Sequence, residues 1–222
     1  MGQKKSYWEL VKPGIFGGAV TLILTLASAK WITGGIVESF KKLSGKKQHF
    51  SGQYVNFNTG LPFGTSLYSV FKIFFTMSRK TLHINLQWGN YVLRYVWPFL
   101  SIWATLWLLI RLYKMDLAKW KNISVLTFLI LLLPPVSFDY KLIHLLVPLL
   151  FFLREEEPGQ DRRWALFYAI GFGLLLIPKS YLWLMPNVSL NVILNPLIML
   201  AMLRGFFIEY SHSQSAVPVK KD

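Results

Sequence analysis

The 222 residues contain no cysteine. That excludes disulfides, cysteine-ligated zinc, iron–sulfur clusters and thiol nucleophiles. Negative charge is scarce too: ten Asp and Glu stand against 24 Lys and Arg, for a net charge of +14. Charged residues of both signs reach only 15%, where a soluble domain carries about 25%. Histidine is limited to four, so no metal site is expected. No P-loop, dinucleotide fingerprint, His-Glu-x-x-His helix or Ser/His/Asp arrangement occurs, and no cofactor is expected. No internal repeat or low-complexity tract is visible.

Apolar residues are abundant instead. Hydrophobic side chains make up 54% and aromatic ones 16%, with a mean hydropathy of +0.41. A disordered chain has the opposite composition. In a soluble protein the basic excess would suggest nucleic acid. Here the Lys and Arg residues flank apolar runs, as in membrane proteins, so the expected partner is a membrane and not a nucleic acid.

Six apolar segments stand out, at 14–33, 91–110, 123–138, 142–153, 164–184 and 190–203, the last extending toward Tyr210. Open strands leave backbone groups unsatisfied in lipid. The expected fold is therefore all-α: a polytopic integral membrane helix bundle of about six transmembrane helices plus an interfacial amphipathic helix. Residues 1–210 form one membrane domain, and 211–222 are a disordered cytoplasmic tail. With the N-terminus inside, the short inner segments 1–13, 111–122, 154–163 and 204–222 hold thirteen basic residues, and the short outer turns 138–141 and 178–189 hold two. That bias predicts a multi-pass protein of the cytoplasmic membrane with both termini cytoplasmic. The long outer stretch from Lys30 to Arg94 holds the other nine and runs against it. Lys4, Lys5, the apolar run 15–26 and Ala27-Ser28-Ala29 resemble a cleavable signal. The five segments that follow favour an uncleaved first helix.

Within the outer loop 34–90, residues 62–78 have the pattern of an amphipathic helix. Phe63, Leu67, Val70, Phe71, Phe74 and Met77 share one face, and Thr65, Ser69, Lys72 and Thr76 share another. A helix lying in the interface fits this pattern. The rival reading is a seventh span, which would reverse the orientation of everything after it. Lys72, Arg79 and Lys80 are expected to attract anionic headgroups.

The third and fourth segments form a hairpin through Pro134-Pro135-Val136-Ser137-Phe138-Asp139-Tyr140-Lys141-Leu142-Ile143-His144. The prolines end the first arm. Each arm is roughly 16–18 Å of helix, short of a ~30 Å hydrocarbon core. The Asp139-Tyr140-Lys141 tip is thus expected at or below the outer surface, in a protein-lined cavity, where ionisable groups are functional candidates. The simpler reading makes Asp139 a helix cap and Lys141 a snorkelling residue. Gln87-Trp88-Gly89-Asn90 before the second segment would bind sugar hydroxyls or, with Asn90, cap the helix. On the outer face the only acids are Glu38 and Asp139, which limits any general base there to these two or to His49, His83 and His144.

These motifs resemble the C-terminal half of glycosyltransferase family 87, the polyprenol-phosphate-mannose-dependent mannosyltransferases of the GT-C class. The resemblance rests on Gln87-Trp88-Gly89-Asn90 and more strongly on Pro134-Pro135-x-Ser137-x-Asp139-Tyr140-Lys141-Leu142, followed by Leu145, Pro148 and an apolar run. Tyr54, Gly64 and Ser66-Leu67 look similar as well, and together these cover about residues 20–155. The resemblance implies a membrane enzyme that moves a sugar, a hexose such as mannose, from a polyprenyl-phosphate donor to a lipid or glycan acceptor on the outer face. A carboxylate base would activate the acceptor hydroxyl and cations would receive the leaving phosphate. Family members are about twice as long, and their catalytic acid lies in an upstream loop that nothing here matches. A histidine often precedes their Asp-Tyr-Lys motif, where this chain has Phe138. No catalytic residue is therefore assigned, and a separate chain supplying the N-terminal half is an expected partner. The substrate-binding candidates are Asp139, Tyr140, Lys141, His144, Gln87, Asn90, Arg79 and Lys80. The alternative is a non-catalytic membrane subunit or scaffold derived from such an enzyme. A small transporter fits less well, because the charged residues sit near segment ends.

Overall fold

The computed structural model describes residues 12, 16, 19–20, 22–28, 37–38, 41–42, 44–46, 64–82, 86–115, 117–137, 139–155, 161–179, 182–185 and 188–215, with backbone alone at 79–82, 86, 87, 90, 139, 185 and 213–215. The chain divides into two compact units, Met1–Gly52 and Gln53–Asp222. In the first, residues 22–28 are helical and mostly exposed. Most of the expected first span and of the loop 34–63 lies outside the described residues.

The second unit is mostly helical. Helix α1 (Leu67–Leu82) starts at Ser66, whose Oγ accepts a hydrogen bond from the Ser69 amide at 3.3 Å, a side-chain N-cap. A Cβ on Gly64 would run into the Ser69 side chain, so the entry to this helix needs glycine. Helix α2 (Leu86–Tyr91) continues through a π-helical turn (Val92–Val96) into α3 (Trp97–Lys114). Pro98 follows the wide turn directly. It has no amide hydrogen, and its ring crowds the preceding turn; the Trp97 amide reaches back to Val92 O, widening the helix where relief is needed. Asn90 thus lies inside a continuous helix and is not an N-cap.

Helix α4 (Lys119–Leu132) stops ahead of Pro134-Pro135. A 3₁₀ turn (Asp139–Leu145) leads into α5 (Leu146–Arg154), so the fourth apolar segment is only partly α-helix. Helix α6 (Arg162–Leu176) begins at Asp161, whose carboxylate accepts from the Arg163 amide at 3.0 Å. It ends before Pro178, which disfavours helix in the residue ahead of it. Residues 177–184 were expected to continue that helix; 177–179 and 182–184 do not, and 180–181 lie outside the described residues. Strand β1 (Trp183–Met185) instead pairs antiparallel with β2 (Val188–Ser189). Helix α7 (Asn191–Ser215) closes the chain and runs beyond the expected end at Tyr210.

Helices α4 to α7 alternate in direction, and α4 packs on α5, α6 on α7, and α4 on α7. Their core is aromatic. Trp120 sits fully buried between Phe152, Tyr168 and Phe206, with ring centroids 4.9, 5.1 and 5.4 Å away. Such edge-on contacts add to plain area burial. Close approach of α6 and α7 depends on Gly205, where a Cβ would lie 2.9 Å from the Phe167 ring. The hydroxyls of Ser124 and Thr127 bond back to the carbonyls of Trp120 and Ile123 at 2.7 and 2.9 Å, which lets polar residues sit inside an apolar helix.

Among the described residues two helices are long and apolar enough to cross a membrane: 23 residues over Val92–Lys114 and 22 over Asn191–His212. At 1.5 Å per residue these are about 34 and 33 Å, against a ~30 Å hydrocarbon core. In α3, Phe99, Ile102, Trp103, Leu106, Leu109 and Ile110 are exposed while only Trp97 and Leu108 are buried. A helix apolar on all sides needs an apolar environment.

Candidate functional site

The alternation of α4 to α7 gives the bundle two ends of different chemistry. One end gathers the start of α4, the end of α5, the start of α6 and the last turns of α7. There the Lys121 ammonium lies 3.0 Å from the Glu209 carboxylate, which also accepts from the Tyr168 hydroxyl at 2.7 Å. Lys121 stands over the rings of Trp120 and Tyr168 at 5.3 and 6.0 Å, and Glu155 Oε2 accepts from the Trp120 amide at 3.3 Å. This network ties α4, α5, α6 and α7 together. Sequence reasoning missed it. The available signal was an acid, Glu209, following the apolar run of the last helix.

The other end gathers the hairpin after α4, the β-hairpin, the start of α7 and the N-terminal half of α1. The Thr65 amide donates to Ser137 O at 2.7 Å, and its hydroxyl lies 3.0 Å from the same carbonyl and 3.3 Å from Ser137 Oγ. Trp97 Nε1 donates to Leu133 O at 2.9 Å. Ile73 packs on Val188 and Val192. These contacts dock α1 on the bundle by its hydroxyl-bearing face. Thr65, Ser69 and Lys72 are buried, Lys72 to 2% exposure, while Phe74 is 63% exposed and Phe71 and Met77 also face outward.

The expected amphipathic helix therefore forms, shifted toward the C-terminus, and its polar face does not turn to the surroundings. Its polar side meets protein and its apolar side meets the surroundings. Thr65 pairs there with the buried Ser137 through amide and hydroxyl, a pairing that a phenylalanine would leave unsatisfied. Burial of the Lys72 ammonium, 5.8 Å over the Tyr68 ring, lowers its pKa to about 8, because taking charge out of water favours the neutral amine. The same burial raises the Tyr68 phenol.

Two other lysines at this end bond to backbone carbonyls. Lys179 Nζ bonds the carbonyls of Leu174 and Ile177, the latter at 2.8 Å, capping the end of α6 where a cation is favoured. Lys141 Nζ donates to Val136 O at 3.1 Å, stapling its own hairpin. Asn195, one turn into α7, differs from these. It is 1% exposed, yet among the described residues neither its Nδ2 nor its Oδ1 has a hydrogen-bond partner. Buried side-chain amides are nearly always satisfied, and an exception calls for an explanation.

Of the residues singled out from sequence, Tyr140 is 70% exposed and His144 is exposed as well, while Lys141 is half-buried. Asp139 opens the 3₁₀ turn; its side chain, like those of Gln87, Asn90, Arg79 and Lys80, lies outside the described residues. Asn191 and Asn195 were not anticipated. Their signal was two amides four residues apart on one face of an apolar run. Among the described residues no cluster of three metal-ligating side chains occurs.

Fold and site define a mostly helical chain with two membrane-length helices and a buried hydroxyl, amide and lysine cluster at one end of its bundle. No family model, no curated protein and no solved structure matches this chain.

Proposed function

We propose that the chain is a membrane glycosyltransferase, or the C-terminal part of one, that takes a hexose such as mannose from a polyprenyl-phosphate donor on the outer face of the cytoplasmic membrane. In this reading it is a polytopic bundle of about six spans with both termini inside. The observation that carries it is the inward-facing polar side of α1, with Lys72, at the same end of the bundle as the unsatisfied Asn195 amide. A lipid-linked sugar phosphate offers matching chemistry. Its phosphate takes a hydrogen bond from an ammonium, its sugar hydroxyls pair with an amide, and its polyprenyl tail suits the outward phenylalanines. In transfer, the acceptor oxygen bonds to the anomeric carbon, the bond from that carbon to the phosphate oxygen breaks, and its electron pair leaves with the phosphate. The acceptor proton goes to a base, which a partner chain carrying the upstream acidic loop would supply.

Asn195→Leu tests the site. Removing an unsatisfied buried amide raises the stability of the ligand-free protein, on the order of 1–3 kcal/mol, whereas retention of polyprenyl-phosphate-hexose in detergent falls at least about tenfold. A variant that is less stable and binds the donor normally would make Asn195 a packing residue.

The absence of native cysteine makes the topology testable. Single cysteines at Ser6 and Ser215 are protected from an impermeant thiol reagent in intact cells, and one at Ser44 reacts. Labelling at Ser215 without labelling at Ser6 would mean an odd number of spans. One observation favours a second reading, a non-catalytic subunit or scaffold. Lys141, which the family resemblance assigns to the substrate, bonds its own hairpin at Val136.

A further inference from the structure

A groove of about 640 Å³ runs between α3 and the second half of α7, lined by Trp107, Leu200, Leu203 and Phe207 and, further along α7, by Arg204, Ser211 and His212. Its α7 residues recur at helical spacing, so the groove follows one face of that helix. The apolar part lies toward the middle of the bundle. The polar part lies toward the Lys121–Glu209 end, where Arg111 stacks on the Trp107 ring at 5.2 Å. Among the described residues no acid lines the groove. Glu209, the only acid of α7, is held by Lys121 and Tyr168. Arg204 is exposed and has neither an ion pair nor a hydrogen bond among the described residues. A guanidinium within an apolar, membrane-length helix is costly without a counter-ion, and the described residues supply none.

The geometry points to a binding site for one anionic phospholipid, with an acyl chain in the groove and its phosphate on Arg204, within reach of Arg111 and His212. The site lies at the opposite end of the bundle from the lysine and amide cluster and would serve inner-leaflet lipid. It rests on the membrane reading of the chain but not on the glycosyltransferase reading. Charge decides the occupant. A zwitterionic lipid fills the groove equally well but brings its own cation next to the Arg204 guanidinium.

The test uses the full chain in detergent, with phosphatidylglycerol, phosphatidylcholine and inorganic phosphate as probes and bound lipid counted by native mass spectrometry. Phosphatidylglycerol binds at least about fivefold tighter than phosphatidylcholine, as expected for one basic contact at a membrane surface. Arg204→Gln, a surface change that leaves the melting temperature unmoved, removes that preference. Leu200→Trp fills the groove and weakens both lipids. Equal affinity for the two lipids, an unchanged preference in Arg204→Gln, or displacement of phosphatidylglycerol by millimolar inorganic phosphate would each overturn the site. Release of the chain from membranes by alkaline carbonate would overturn the membrane reading with it, and that result is read independently of the lipid preference.

Discussion

Glu209→Ala is expected to destabilise the protein by about 3–5 kcal/mol, the usual result of leaving one partner of a buried ion pair alone. The Lys121 side chain is 5% exposed and that of Glu209 15%, so water does not replace the lost carboxylate. The Tyr168 hydroxyl loses its acceptor in the same step. Lys121 is surrounded by Trp120 and Tyr168 at the centre of the aromatic core, so an unpaired ammonium there disturbs the contact of α4 with both α6 and α7. Thermal melting followed by circular dichroism in detergent measures the effect. The paired change Lys121→Met with Glu209→Leu regains most of the loss, because two apolar side chains of similar volume need no desolvated charge. A melting temperature for Glu209→Ala within a degree of the parent would show that the pair is hydrated and contributes little.

How much of this was legible in the sequence depended on which force set each feature. Helix ends were readable wherever proline or a capping side chain fixed them. Pro134-Pro135 ended α4 as expected. Pro178 ended α6, although hydropathy alone carried the segment on to residue 184; residues 182–185 are apolar but extended, and hydropathy does not distinguish the two conformations. The amphipathic pattern of α1 was equally clear. Its orientation was not, because a two-faced helix shows which residues share a side and leaves open which side meets protein. That choice shows in the pairing of Thr65 with Ser137, 72 residues further along the chain. The hairpin 134–144 drew attention through its motif, yet its Lys141 ammonium bonds a backbone carbonyl, its buried polar residue is Ser137, and further buried polar groups lie on α1 and α7. Asn195 was overlooked because a single amide inside an apolar run reads as a weak interruption until its burial is known.

Binding of a polyprenyl-phosphate-hexose is expected to weaken as pH rises through about 8, by close to tenfold per pH unit above that point. The donor is a phosphodiester, whose charge does not change in this range. The group that does change is Lys72, with its pKa lowered to about 8 by burial. Below pH 8 Lys72 carries the charge that a phosphate needs, and above it the neutral amine offers only a weak hydrogen bond. Stability of the ligand-free protein moves in the opposite direction. An unfolded lysine titrates near 10.5, so between pH 8 and 10.5 the unfolded chain binds more protons and stability rises with pH across that window. Lys72→Met removes both dependences. Its ligand-free form is more stable than the parent at pH 7, its donor affinity is low, and that affinity is flat with pH. Retention curves at pH 7, 8 and 9 for the parent and for Lys72→Met decide the matter. Parallel curves would assign the titration to another group and leave Lys72 as a buried structural lysine beside Tyr68.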